Sequence, residues 1–183
     1  MSKYFFSALW ALVCLLVISC SPVKVMNHQA APDFNLSRYR TFGFMDVTAG
    51  NSDSANVRVP AEQIAVIQRE IANQLERRGL TQSTSNPDLL VNVGVVVLEK
   101  NQTRQTNFRT DAPYYTGQRR YSWRSQEVVV GQYKEGTISV HLVDNAQNTL
   151  VWSAEAESVV PEKQEKLQER IAEGVAQLFS SLP

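Results

Sequence analysis

The chain has 183 residues, 43% of them apolar, and balances 18 Lys+Arg against 18 Asp+Glu. Its length fits one globular domain, and balanced charge argues against the whole-protein basic field of a nucleic-acid binder. Only two cysteines occur, Cys14 and Cys20, so no disulfide framework is expected; a domain of this size buries roughly 70% of its unfolded surface without one.

Met1–Tyr4 carries one charge, Lys3, and Phe5–Ile18 is then apolar except for Ser7. This is the pattern of a secretory signal, whose apolar region runs to about 7–15 residues. A membrane-spanning helix needs ~20. Val17-Ile18-Ser19-Cys20 resembles a bacterial lipobox. The resemblance implies that residues 1–19 are removed and that the Cys20 thiol takes a diacylglycerol. A thiolate suits that chemistry as the strongest common nucleophile near neutral pH. Two or more acyl chains hold a protein stably on a membrane, whereas one does so only marginally. Loss of Lys3 would leave 17 basic against 18 acidic residues. Ser21 after the cysteine is not acidic, and by general lipoprotein resemblance this favours an outer-membrane anchor facing the periplasm.

Residues 20–37 are polar, contain Pro22 and Pro32, and read as a lipidated tether. A single domain is expected over 38–183. Arg40–Met45, with Phe42 and Phe44 spaced by two, reads as a short strand, and Asp46–Asn56 as a loop. Pro60 is expected at the first position of a helix over about 60–78. Ile64, Ile67, Ile71 and Leu75 form its apolar stripe. Gly79 followed by Leu80 suits a Schellman ending. After Pro87-Asp88 a long strand carries Leu89, Val91, Val93, Val95 and Val97 on one face, with Gly94 marking a bulge or a close backbone approach. Lys100–Ser125 reads as a polar insertion. Strands are expected at Gln126–Gln132, at Glu135–Val143 and at Thr149–Glu157, the last two joined as a hairpin through an Asx-rich turn at Asp144–Asn148. A final helix, opened by Pro161, carries Leu167, Ile171, Val175, Leu178 and Leu182. The order β-α-β-β-β-β-α implies a two-layer α+β domain, an antiparallel sheet with two helices on one face.

Four stretches match a known pattern. They are Arg38-Tyr39-Arg40-Thr41-Phe42-Gly43-Phe44, the helix end Leu75–Gly79 with Asn86-Pro87-Asp88-Leu89-Leu90-Val91, Tyr133–Val140 with Leu142-Val143-Asp144 and Leu150-Val151-Trp152, and the last helix to Pro183. Over most of residues 38–183 the chain resembles the bacterial lipoprotein family known as domain of unknown function 4136. His141 stands where that pattern has an acidic residue. The resemblance implies an envelope lipoprotein with an α+β fold, and brings no catalytic residues.

Catalytic signatures are wanting. His28 and His141 are the only histidines, and neither has Cys, His or paired carboxylates at ligand spacing. No Gly-x-Ser-x-Gly and no Gly-rich phosphate loop occurs. Glu135 and Asp144, nine residues apart on one strand, would stand about 30 Å from each other, too far for a glycosidase pair. No enzyme activity, cofactor or metal is expected. Trp152 reads as core, and the Asp144 turn as a turn.

The stretch 100–125 stands above this background. It holds six basic residues against Asp111 alone, interleaved with Phe108 and with Tyr114, Tyr115, Tyr121 and Trp123. Arg109, Tyr114, Tyr115, Arg119, Arg120, Tyr121 and Trp123 are the candidate partner-binding residues, since exposed Arg, Tyr and Trp dominate binding hot spots. They suit an envelope protein, a glycan or lipid headgroups. The competing expectation is a solvated excursion that folds back on the acidic run Glu155–Glu173. The leading functional expectation is thus a membrane-anchored, non-enzymatic binding module. The alternatives are an assembly scaffold of an envelope complex and, more remotely, an envelope-polymer hydrolase.

Overall fold

The computed structural model describes residues 23–45, 59–111 and 124–183. In chain order the elements are β1 (Lys24–Ala30), a 3-10 turn (Leu36–Arg38), β2 (Thr41–Phe44), α1 (Ala61–Glu76), β3 (Thr81–Gln82), β4 (Leu89–Gln105), α2 (Phe108–Asp111), β5 (Glu127–Asp144), β6 (Thr149–Val159) and α3 (Gln164–Ser180). The strands form one open sheet in the order β1-β6-β5-β4-β2-β3.

The two-layer α+β architecture expected from the sequence is present, but the sheet is mixed rather than antiparallel. β1, β6, β5 and β4 pair antiparallel, whereas β2 runs parallel to both β4 and β3. The connection from β2 to β4 carries α1, and a helical crossover returns the chain to the end where it started, so the next strand runs parallel.

Across the sheet, Val91, Leu142 and Trp152 stand in register, and so do Val93, Val140 and Ala154. All six are buried in one cluster with Ile67, Ile71 and Leu75 of α1 and Ile171, Val175, Leu178 and Phe179 of α3. Burying a side chain of this size contributes about 1.5–3 kcal/mol, so this shared face dominates the stability. Ile64, Leu167 and Leu182, the outer members of the two helical stripes, are only half-buried. On the opposite face Gly94 is registered with Ser139, whose Oγ occupies the space a Cβ would need. Neither the bulge nor the close backbone approach expected at Gly94 is there: the register is regular, and what comes close is the Ser139 side chain.

The ends of α1 differ slightly from expectation. Pro60 caps the helix from outside instead of opening it. At the other end Leu80 N–H donates to Leu75 O (3.2 Å) and Gly79 N–H to Glu76 O (2.9 Å), with Gly79 at φ +92°. That is the Schellman ending, with Leu75 and Leu80 both buried. Pro161 likewise stands three residues ahead of α3, which begins at Gln164.

Three further expectations are corrected. The segment expected as a tether is structured from Val23 onward: Val23 is 8% exposed, and β1 pairs along β6 from Lys24↔Glu157 to Ala30↔Trp152. The two strands expected at 126–132 and 135–143 are one, because Tyr133 and Lys134 pair in register with Lys100 and Glu99. The insertion expected from Lys100 starts later, since β4 continues through Gln105.

Candidate binding surface at the ribbon end

The last pair of β6 on β5 is Val159↔Glu135, and β2 stops pairing with β4 at Val91. Beyond these points β4 and β5 run on as a two-stranded ribbon from Glu99↔Lys134 to Gln105↔Glu127. Near its base Lys100 forms an ion pair with Glu135. Farther out the register shifts between Gln102 and Thr103, which leaves Val130 opposite no residue of β4. Val129 and Val130 are 59% and 50% exposed.

The tip is organised around Asp111. Its carboxylate takes a bidentate contact from the Arg104 guanidinium, with Nη1 at 2.8 Å from Oδ2, and also accepts from the Asn107 N–H (2.8 Å) and the Thr110 hydroxyl (2.8 Å). Arg104 first, then those two donors, hold the Asp111 carboxyl far below the usual carboxylate range. Thr106 N–H donates to Gln126 O (2.7 Å), and Gln126 N–H to Thr106 Oγ1 (2.8 Å), which closes the ribbon.

Of the residues singled out in the sequence, Arg109 lies on the one-turn helix α2, exposed, its N–H bonded to Asn107 Oδ1 at 2.9 Å. Cys20, Tyr114, Tyr115, Arg119, Arg120, Tyr121 and Trp123 lie outside the described residues. Among the described residues of the basic stretch, Lys100 pairs with Glu135 and Arg104 with Asp111. Within α3, Arg170 pairs with Glu173.

At the base of the ribbon a crevice of about 650 Å³ opens between the N-terminal ends of α1 and α3 and the sheet, lined by Val59, Pro60, Val97, Tyr133, Val160 and Leu167 among others. It narrows to an apolar recess of about 50 Å³ whose walls include Val23, Ile67, Ile138 and Ile171. Sequence reasoning did not find this crevice, because its walls come from four separate stretches of chain, 59–63, 97–99, 132–134 and 159–167. The one local signal was Val159-Val160-Pro161, an apolar run placed where a strand was due to end.

The opposite end of the sheet is a polar clamp. Asp88 Oδ2 accepts from the Arg40 N–H (2.8 Å) and the Thr41 N–H (3.0 Å), while Asp88 N–H donates to Thr41 Oγ1 (2.9 Å). Those backbone donors lower the Asp88 pKa. The Tyr39 hydroxyl donates to Asp144 Oδ2 (3.0 Å), and burial, reinforced by that carboxylate, raises the Tyr39 pKa. Asp144 Oδ1 accepts from Gln147 N–H (2.9 Å), the backbone-mimicking role of an Asx turn. These residues join β2, β4 and the β5–β6 hairpin and account structurally for much of the motif around Tyr39, Asp88 and Asp144. His141 sits mid-sheet, registered with Asn92 and Ser153. Among the described residues no cluster of His, Cys, Asp and Glu could hold a metal ion.

The family model described as "Domain of unknown function (DUF4136)" matches residues 26–183. Among solved structures, a DUF4136 family protein from Bacteroides thetaiotaomicron is similar at 14% identity, over 87% of this chain and 95% of that one, with a TM-score of 0.51. A PDZ domain protein from Parabacteroides distasonis is similar at 15% identity over 96% of this chain, with a TM-score of 0.54; the chain spans 40% of that protein's length. At such identities the likeness is one of fold. No curated protein matches the sequence.

Proposed function

The chain belongs to the DUF4136 family, and from that premise we propose that it is an envelope lipoprotein anchored through Cys20, whose domain is a non-enzymatic binding module. Its contact surface is the ribbon and the stretch 100–125, and its address is the outer membrane, facing the periplasm. The observation that carries the reading is the ribbon itself. Two long strands project past the body of the sheet and raise Phe108, Val129 and Val130, each at least half exposed, together with exposed Arg109 and Arg124. Soluble domains keep such strand extensions short or fully charged unless they meet something. The signal-like segment and lipobox at residues 1–20 supply the anchor.

Two measurements test the reading. Intact mass of membrane-extracted protein should show a chain starting at Cys20 with added acyl mass, lost in Cys20→Ala; an unmodified mass would remove the anchor. Deleting residues 104–122 should leave the domain folded and abolish capture of its envelope partner, whether protein, glycan or lipid headgroups. If capture survives that deletion but fails on changes to the outer faces of α1 and α3, the protein is instead an assembly scaffold.

A further inference from the structure

Resting on the anchoring reading above, we infer that the ribbon's partner is the bilayer itself: the β4–β5 ribbon lies flat on anionic lipid headgroups beside the lipidated cysteine. The argument begins where the chain enters the sheet. Lys24 pairs with Glu157, Glu157 with Thr137, and Thr137 with Val96. β1 then runs antiparallel to β6, away from the ribbon, so the chain arrives from the ribbon end. Val23 is already fixed, 8% exposed and lining the recess beneath the crevice.

Two residues, Ser21 and Pro22, separate Cys20 from Val23, and the three steps of fully extended chain between them span at most about 11 Å. A bilayer holding acyl chains on Cys20 therefore lies within about that distance of Val23. From the level of Val96 the ribbon continues nine residues to Gln105, about 30 Å at 3.3 Å per residue. A straight ribbon directed at the membrane would carry some 20 Å of two-stranded sheet into the bilayer, and its open edges past the headgroups into hydrocarbon, where unpaired backbone groups are not tolerated. The tether thus limits any inclination of the ribbon into the bilayer to about 20°, which favours a ribbon that lies along the surface.

Its chemistry suits that position. Among the described residues six large hydrophobic side chains are exposed, and four of them, Phe108, Val129, Val130 and Val159, are at this end. Asp111 is neutralised by Arg104 and Glu135 by Lys100, and among the remaining exposed charges of the described ribbon Arg109, Arg124 and Lys134 outnumber Glu99 and Glu127 by one. Each basic residue near an anionic leaflet contributes about 1 kcal/mol, and apolar side chains at headgroup depth add their own burial.

The test uses the full lipidated protein. Acylation blocks the Cys20 thiol and signal removal discards Cys14, so a cysteine introduced as Val130→Cys can be labelled alone with an environment-sensitive fluorophore. A second protein carries the label as Ala146→Cys, in the turn at the far end of the sheet. Both are reconstituted in phosphatidylcholine vesicles with and without phosphatidylglycerol. The label at 130 should shift to the blue and be quenched by lipids brominated near the headgroup, more so with phosphatidylglycerol, and the label at 146 should do neither. Equal behaviour of the two labels on protein whose mass shows acylated Cys20 overturns the contact and leaves the anchor standing. An unacylated Cys20 removes the anchoring reading and, with it, the geometric ground for the contact.

Discussion

The guanidinium of Arg78 stacks over the ring of Phe179, its Cζ 5.5 Å from the centroid, while its Nη2 donates to the Phe179 carbonyl at 2.8 Å. Nη1 donates back to Gln74 O and Oε1 at 2.9 Å. One side chain thus ties the C-terminal end of α1 to that of α3, where the helix carbonyls present partial negative charge. Arg78→Ala should cost about 1–2 kcal/mol, the sum of a charge-assisted hydrogen bond and a cation–π contact reduced for solvent exposure. Arg78→Lys keeps the charge but not the planar fork, and should recover only part of that loss. Urea unfolding reads both as a lower midpoint at unchanged slope; a Lys variant as stable as the parent would show that charge alone matters.

Asp88 makes the fold sensitive to acid in a defined direction. Its pKa is lowered in the folded state, from an ordinary value of 3.8, chiefly by the Arg40 and Thr41 N–H donors. A group depressed on folding contributes fully above its unfolded pKa, and that contribution is lost as pH falls through the folded pKa. Asp88→Asn should therefore be less stable than the parent near neutrality. The gap should narrow below about pH 4, where the unfolded aspartate begins to bind a proton. Denaturant midpoints of both proteins across this range give the answer. A gap that stays constant into strong acid would mean that the carboxylate's charge contributes nothing.

Where the fold was legible, the signal was local. The stripe of α1, its Gly79 stop and the Asx turn before β6 each follow from residues within a few positions of one another. β1 was not legible because it is a polar edge strand: only Val25 and Met26 of it are even half-buried, so no alternating apolar pattern marks it. The ribbon was hidden for a related reason. Asn101–Gln105 is exposed throughout, and a strand without a buried face reads as loop. The parallel placement of β2 beside β4 depends on where α1 returns the chain, which no short window contains. Of the candidate site, Arg109 could be placed, whereas the crevice assembles Val59, Val97, Tyr133, Val160 and Leu167 from four separate stretches.

Two glycines should fail for different reasons. At Gly43 a Cβ would meet Ser83 O at 2.8 Å and Pro87 Cγ at 2.9 Å, so any side chain must push β2 away from the loop that closes on it. Gly79 has open space around it but a φ of +92°, where only the backbone is strained. Gly79→Ala should cost about 1 kcal/mol and Gly79→Asn less, since Asn tolerates positive φ. At Gly43 the order reverses: Ala should cost about 1–3 kcal/mol by overpacking, and the larger Asn more. Thermal unfolding of the four variants checks the crossover, and the same rank order at both positions would refute the distinction.

Trp152 poses a sharper question about the core. It is 1% exposed, its ring centroid lies 5.5 Å from that of Phe179, and its Nε1 has no hydrogen-bond partner among the described residues. A buried donor without an acceptor costs about 1–3 kcal/mol, which the packing of the large ring must outweigh. Trp152→Phe removes the orphan donor while leaving a small void, two changes of opposite sign. It should cost much less than Trp152→Ala, for which about 3–5 kcal/mol is expected from cavity formation. Chemical unfolding of the two variants separates the effects. If Phe proves nearly as damaging as Ala, the indole N–H has a partner after all, and this side chain is held by a hydrogen bond as well as by packing.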